Sequence, residues 1–182
     1  MKTFFKKIFG KNKDTDIVSM ELPQYVDIDT VSGTFGNPYD IGVKIQLLHK
    51  ASKMPTYAHD DDACCDLYAI EDYTLKPAGR GLLRTGVAIE IPTGYEVQIR
   101  PRSGLAFEHG FTVLNAPGTI DAQYRNEIKV LAINLGNKLI SIRAGDRIAQ
   151  MCIKPVYKMS FVEVPQLSDS DRGLGGWGST GK

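Results

Sequence analysis

Short apolar, β-branched segments, each cut off by glycine or proline, recur roughly every 8 to 15 residues between positions 41 and 164. They fall at 41–48, 73–75, 87–91, 95–100, 112–114, 128–135, 138–142, 147–156 and 161–164. Val87-Ala88-Ile89-Glu90-Ile91 shows the two-residue alternation of a strand with one face in a core. No segment sustains a helical period, and the one candidate helix is about a turn long, at 103–108. Chains of this kind fold as all-β sandwiches or barrels.

The flanks differ from this core. Residues 14–40 mix acids and turn formers, and after Pro165 the chain becomes polar and then glycine-rich. The sequence therefore divides into a basic N-terminal segment and linker (1–40), a β domain (41–164) and a C-terminal arm (165–182). Residues 1–13 carry five Lys and no acid, while the rest of the chain sums to −4, from 17 bases and 21 acids. On a helix, Phe4, Phe5, Ile8 and Phe9 would share one arc and the lysines the other. This segment reads either as a frayed leader or as a contact for a membrane surface or a protein. The net charge of +1 offers no global excess for holding nucleic acid, so no direct nucleic-acid binding is expected. No apolar run approaches the roughly 20 residues of a membrane-spanning helix. Cys64, Cys65 and Cys152 form no disulfide framework and point to a reducing cytoplasm, the host's if the source is viral.

Several clusters carry candidate chemistry. Arg100-Pro101-Arg102-Ser103-Gly104 combines cations, a hydroxyl and a glycine at a strand-to-turn transition, the materials of a phosphate site. Asn115 through Glu127 is a dense turn in which Asp121 and Tyr124 could border a pocket, although an Asp in a turn commonly caps its own backbone. Asp66 follows the acids Asp60, Asp61 and Asp62, a pattern that fits a hard cation or a solvated loop. His49, His59 and His109 lack zinc-ligand spacing. The arm satisfies both G-x-G-x-x-G and G-x-x-x-x-G-K, but without the preceding strand and following helix that phosphate-cradling loops require. What it does offer is backbone N–H groups beside Arg172, Ser179 and Thr180, able to wrap an anion, and the single Trp177, able to stack on a flat ring.

In this order the clusters resemble the five motifs of the trimeric deoxyuridine triphosphatase (dUTPase) family, over about residues 41–182. Ala63-Cys64-Cys65-Asp66-Leu67 is similar to A-G-x-D-L; residues 101–106 match P-R-S-G-L-A in full. Residues 118–127 are similar to G-x-I-D-x-x-Y-x-G-E, 145–150 match G-D-R-I-A-Q, and 172–181 match R-G-x-G-G-F-G-S-T-G with Trp177 for Phe. Cys64 and Asn126 replace motif glycines and are expected to matter if those turns need positive φ.

The resemblance implies a jelly-roll-like β-barrel with a flexible glycine-rich arm. It also implies a cytoplasmic homotrimer whose sites lie at subunit junctions and are closed by a third chain's arm. The implied activity is that of a dUTP diphosphatase, with water attacking the α-phosphorus of dUTP to give dUMP and pyrophosphate. This would keep uracil out of DNA and supply dUMP for dTMP synthesis. Asp121 would activate the water, and Tyr124 would lie under the deoxyribose. The hairpin around Asn115, Gly118, Thr119 and Ile120 would pair with uracil. Arg102, Ser103, Gly104 and Gln150 would hold the α and β phosphates. The arm would supply Arg172, Ser179 and Thr180 to the γ phosphate, with Gly176, Gly178 and the stacking Trp177 between them. Mg²⁺ would ride on the triphosphate, with Asp66 reaching it through water. A nucleotide-sensing regulator and a dCTP deaminase are the other readings of such a fold.

Overall fold

The computed structural model describes residues 40–176, nearly all within a compact unit that opens at Val43. The expectations for residues 1–39 and for Trp177, Gly178, Ser179 and Thr180 lie outside the described residues. In chain order the elements are β1 (Lys44–Leu47), β2 (Cys65–Tyr68), β3 (Tyr73–Leu75), β4 (Arg80–Arg84), β5 (Val87–Glu90), β6 (Tyr95–Arg100), α1 (Ser103–His109), β7 (Phe111–Val113), β8 (Gly118–Asp121), β9 (Lys129–Asn134), β10 (Ile140–Ile142) and β11 (Arg147–Pro155). The class is all-β, as the periodicity predicts.

All pairings are antiparallel, in four sheets ordered β1-β5, β10-β3, β4-β9-β7 and β2-β11-β6-β8. Among the described residues these ladders stay separate and do not join into one closed barrel. Their inner faces share a core: Leu67, Leu83, Phe111, Ile128, Val130 and Ile148 are wholly buried. Each such side chain contributes about 1.5 to 3 kcal/mol relative to exposure. β9 shows how alternation builds this face, with Val130, Ala132 and Asn134 inward and Lys129 outward. Asn134 is fully buried yet satisfied: its amide donates to the carbonyls of Leu75 (2.9 Å) and Lys138 (2.8 Å), and its Oδ1 accepts from Gly136 (2.9 Å). It thereby fixes the turn that leads to β10. β11 is the strand between β2 and β6, and Ile148, Ala149, Met151 and Cys152 along it are all buried.

Gly110 stops α1 with a φ of 68°, in the left-handed region. A Cβ there would stand 2.5 Å from the Gly136 backbone nitrogen, and one on Gly136 would strike the His109 carbonyl. The helix end and the β9–β10 turn thus meet backbone to backbone.

The structure departs from the sequence expectation in four places. Residues 161–164 form no strand: Phe161 and Val162 are more than four-fifths exposed, and among the described residues no strand pairs with them. β2, β4 and β8 are strands that periodicity misses, because Asp66, Gly81 and the turn-forming residues before Gly118 interrupt their apolar patterns.

Candidate active site

Asp66 is buried in β2, at 4% exposure, and it does not belong to the solvated acidic loop of Asp60, Asp61 and Asp62. Three side chains donate to its carboxylate: Arg102 Nε (3.0 Å) and Gln150 Nε2 (3.3 Å) to Oδ1, and Arg147 (3.1 Å) to Oδ2. The register explains the convergence. Gln150 on β11 lies opposite Asp66 on one side and Arg100 of β6 on the other. Arg147 is three residues from Gln150, so in a regular strand it would point to the opposite face. A bulge between Arg147 and Ala149 absorbs one residue and returns Arg147 to the Asp66 face. Arg102 is the N-cap residue of α1, in extended conformation (φ −84°, ψ 131°), and directs its guanidinium back across β11. Ser103 and Gly104 follow on the exposed first turn, whose N–H groups have no intrahelical acceptors, and a Cβ at Gly104 would meet nothing within 4 Å. Arg102 and Arg147 also border a cavity of about 400 Å³ floored by Phe111, Ile140 and Ile148. Sequence reasoning missed Arg147; no pattern within 145–150 reveals the bulge.

The second cluster is the turn after β8. Gly118 packs on β6, where an added Cβ would lie 3.4 Å from Ile99 and 3.3 Å from the Asn115 amide. Thr119, Ile120 and Asp121 then pair with Gln98, Val97 and Glu96. Asp121 is exposed, and its carbonyl accepts from the Tyr124 N–H (3.0 Å) to close the turn. The Tyr124 ring is part-exposed, tied at its hydroxyl to the Glu127 carbonyl (2.9 Å). Glu127, which sequence reasoning left without a role, is 5% exposed; it accepts from Arg84 Nε (3.1 and 3.2 Å) and from the Gly86 N–H (2.9 Å). This anchors the Asp121–Tyr124 turn to the β4–β5 connection. Neither Cys64 nor Asn126 occupies a left-handed turn: among the described residues Ala78 alone of the non-glycines has positive φ. Asn126 instead accepts the Glu127 N–H through its side chain (2.7 Å).

One chain does not bring the two clusters together. Asp66 lies level with Arg100 of β6, Asp121 with Glu96, and β2 and β8 are three strand spacings apart. At about 3.4 Å per residue and 4.8 Å per strand, the two carboxylates are about 20 Å apart. Nor does Arg172 join either cluster; its guanidinium donates to the carbonyls of Gly175 (2.9 Å) and Gly176 (3.4 Å) on the exposed arm. Among the described residues no group of three or more His, Cys, Asp or Glu side chains could cage a metal. Asp66 has about four lone-pair sites, three of them taken, which leaves room for one water-mediated contact to a cation.

An all-β scaffold that gathers two guanidiniums, an amide and a helix start around one carboxylate has the hydrogen-bond donors that anionic oxygens accept from. The comparisons narrow this description. The dUTPase family model matches residues 50–181. The deoxyuridine 5'-triphosphate nucleotidohydrolase of Clostridium tetani is 54% identical over 140 residues, covering 77% of this chain and 97% of that protein. That of Nautilia profundicola is 55% identical over 140 residues, covering 77% and 99%. The Staphylococcus bacteriophage 80alpha dUTPase, solved with dUpNHpp, superposes with a TM-score of 0.72 at 27% identity, covering 78% of this chain and 99% of that one. A dUTPase variant from phage phi11 of S. aureus, described with a structural Mg(II) ion, shares the fold with a TM-score of 0.65 at 23% identity, covering 70% and 99%. The chain belongs to the dUTPase family, with its jelly-roll fold. No helix among the described residues is long and apolar enough to cross a membrane.

Proposed function

We propose that this chain hydrolyses dUTP to dUMP and pyrophosphate in the cytoplasm, at sites completed between copies of itself. The observation that carries this reading is the Asp66 cluster, which ties together residues from three separate motifs: Asp66, Arg102, and the pair Arg147 and Gln150. Asp66 orients Arg102 and Gln150, and these, with the Ser103 hydroxyl and the free N–H groups of Ser103 and Gly104, hold the α and β phosphates. Asp121 is the exposed carboxylate that takes a proton from the attacking water. Tyr124, fixed through Glu127, walls off the 2′ position of the sugar, and the backbone around Asn115, Gly118, Thr119 and Ile120 reads the uracil edge. The arm adds Arg172, Gly176, Trp177, Gly178, Ser179 and Thr180 over the phosphates and base. Asp66, with one acceptor site left, is the residue that would hold Mg²⁺ through a water, and the ion would supply charge neutralisation at the phosphate oxygens.

The distance of about 20 Å between Asp66 and Asp121 argues for assembly. Groups that act on one phosphorus all lie within hydrogen-bond reach of it or its oxygens, roughly 3 Å. A second copy must therefore supply one of the two clusters, and the homotrimer of the family satisfies that need. The boundaries 41–164 for the catalytic domain and 165–182 for the arm follow from the same division of labour. The family match lends no support to a dCTP deaminase or a nucleotide sensor.

Pyrophosphate release measured with dUTP, dCTP, dTTP and UTP side by side tests the reading, with dUTP far ahead. Asp121→Asn should abolish turnover while dUTP binding stays within about tenfold, since the amide keeps the shape but takes no proton. A loss of less than roughly a hundredfold would remove Asp121 from the base role.

A further inference from the structure

The three cysteines are free thiols, and two of them face each other beside the Asp66 cluster. β2 and β11 pair Asp66 with Gln150 and Cys65 with Met151, so the next step along the ladder places Cys64 opposite Cys152. Alternation puts Cys64 on the same face as Asp66, and Cys152 on the same face as Gln150. The Asp66–Gln150 hydrogen bond crosses the ladder on that face, and Cys64 and Cys152 are neighbours two residues further along it. Cys65 points to the other side, where its thiol donates to the Met151 carbonyl (3.5 Å). Residues directly opposite in an antiparallel pair have Cα atoms about 4.5 to 5.5 Å apart, inside the range a disulfide spans. Cys152 is buried at 3% exposure, whereas Cys64 is part-exposed. Cys64 also stands where the first motif has glycine, so the pair is a feature of this chain and not of the motif.

We propose that Cys64 and Cys152 form a reversible cross-strand disulfide when they meet a low-molecular-weight disulfide such as oxidised glutathione, and that the bond lowers dUTP turnover by displacing Asp66 and Gln150. The Cys64 thiolate, its proton lost to solvent, attacks one sulfur of the oxidant; a protein–oxidant mixed disulfide forms and one small thiolate leaves. Cys152 then loses its proton and attacks Cys64 Sγ, forming the protein disulfide and expelling the second small thiolate. Two protein thiols are oxidised, one small disulfide is reduced to two thiols, and the protons pass to the leaving groups. The two sulfurs must close to about 2.05 Å to bond, drawing the strands together two residues from the carboxylate that holds Arg102, Arg147 and Gln150. Displacements approaching 1 Å at such a site cost up to about a hundredfold in rate.

The effect on turnover rests on the phosphate-holding reading of Asp66; formation of the bond does not. Full-length protein is equilibrated with oxidised glutathione, then denatured, alkylated and peptide-mapped, with turnover followed in parallel. The expected result is a linked Cys64–Cys152 peptide with Cys65 alone alkylated, and turnover down about tenfold or more and restored by dithiothreitol. Cys64→Ser, or Cys64→Ala if serine disturbs folding, should keep the starting turnover and lose both responses, while Cys65→Ser should keep both. A lasting glutathione adduct on Cys64 with Cys152 free, or linkage through Cys65, overturns the disulfide. A linked peptide with unchanged turnover overturns the coupling to the active site, without touching the nucleotide preference measured above.

Discussion

Mixing two inactive variants tests the inter-copy site directly. Arg102→Ala removes a phosphate-holding cation from the Asp66 cluster, and Asp121→Asn removes the base some 20 Å away on β8. If each site takes Arg102 from one copy and Asp121 from another, a mixed assembly contains sites in which both are intact. With equal amounts and random assembly, half the copies offer an intact Arg102 and half the neighbours an intact Asp121, so about a quarter of wild-type activity returns. A site confined to one chain would give only the residual activities of the two variants. The assay is to co-refold the variants at equal concentration, verify mixed assemblies by native mass spectrometry, and follow pyrophosphate release. Mixed assemblies with no gain over the residual activities would refute both the separation argument and the assignment of the two clusters to one site.

Other outcomes follow from single side chains. Asp66→Asn should cost about 2 to 4 kcal/mol in chemical denaturation at matched protein concentration, because a buried acceptor of two guanidiniums loses its charge while half-exposed Arg147 is discounted; a change under about 0.5 kcal/mol would contradict the burial argument. Tyr124→Ala should narrow the preference for dUTP over UTP in kcat/KM, mainly through lost dUTP turnover, and an unaltered ratio in a folded variant would reduce Tyr124 to a packing role. The Tyr73 hydroxyl, held protonated first by burial and then by its hydrogen bond to Glu71, is pushed up to about 12. The folded state keeps that proton between pH 10 and 12 while the unfolded chain loses it, so stability falls as pH rises across the window, and the slope should flatten in Tyr73→Phe.

The strands that alternate cleanly, such as β6 and β9, were legible because one face of each is apolar, and β5 because its short run is apolar throughout. Those that carry the site were not. β2 hides behind a buried aspartate, and β8 begins inside a turn-rich stretch that breaks its apolar pattern. Motif order pointed to Arg102, Gln150 and Asp121, yet Arg147, the third donor to the Asp66 carboxylate that unites the first two, depends on a bulge that no residue pattern announces. The glycine replacements at Cys64 and Asn126 looked costly on motif grounds; the backbone there stays at ordinary φ, so the cost is absent. Residues 161–164 looked like a strand because they are apolar, and apolarity alone does not supply a pairing edge.

The backbone contact between Gly110 and Gly136 bears on how a lineage carrying this fold can drift. Any side chain at Gly110 must adopt a left-handed φ and push back the turn that holds Gly136, and any side chain at Gly136 must push back the end of α1. A first substitution at either position therefore separates the same two segments, and a second at the other cannot restore their contact. The two sites form a locked pair in sequence space, with no single-step neighbour that preserves the junction. Variation should pass instead through the residues flanking each glycine, such as exposed Leu135, whose side chain lies outside the contact.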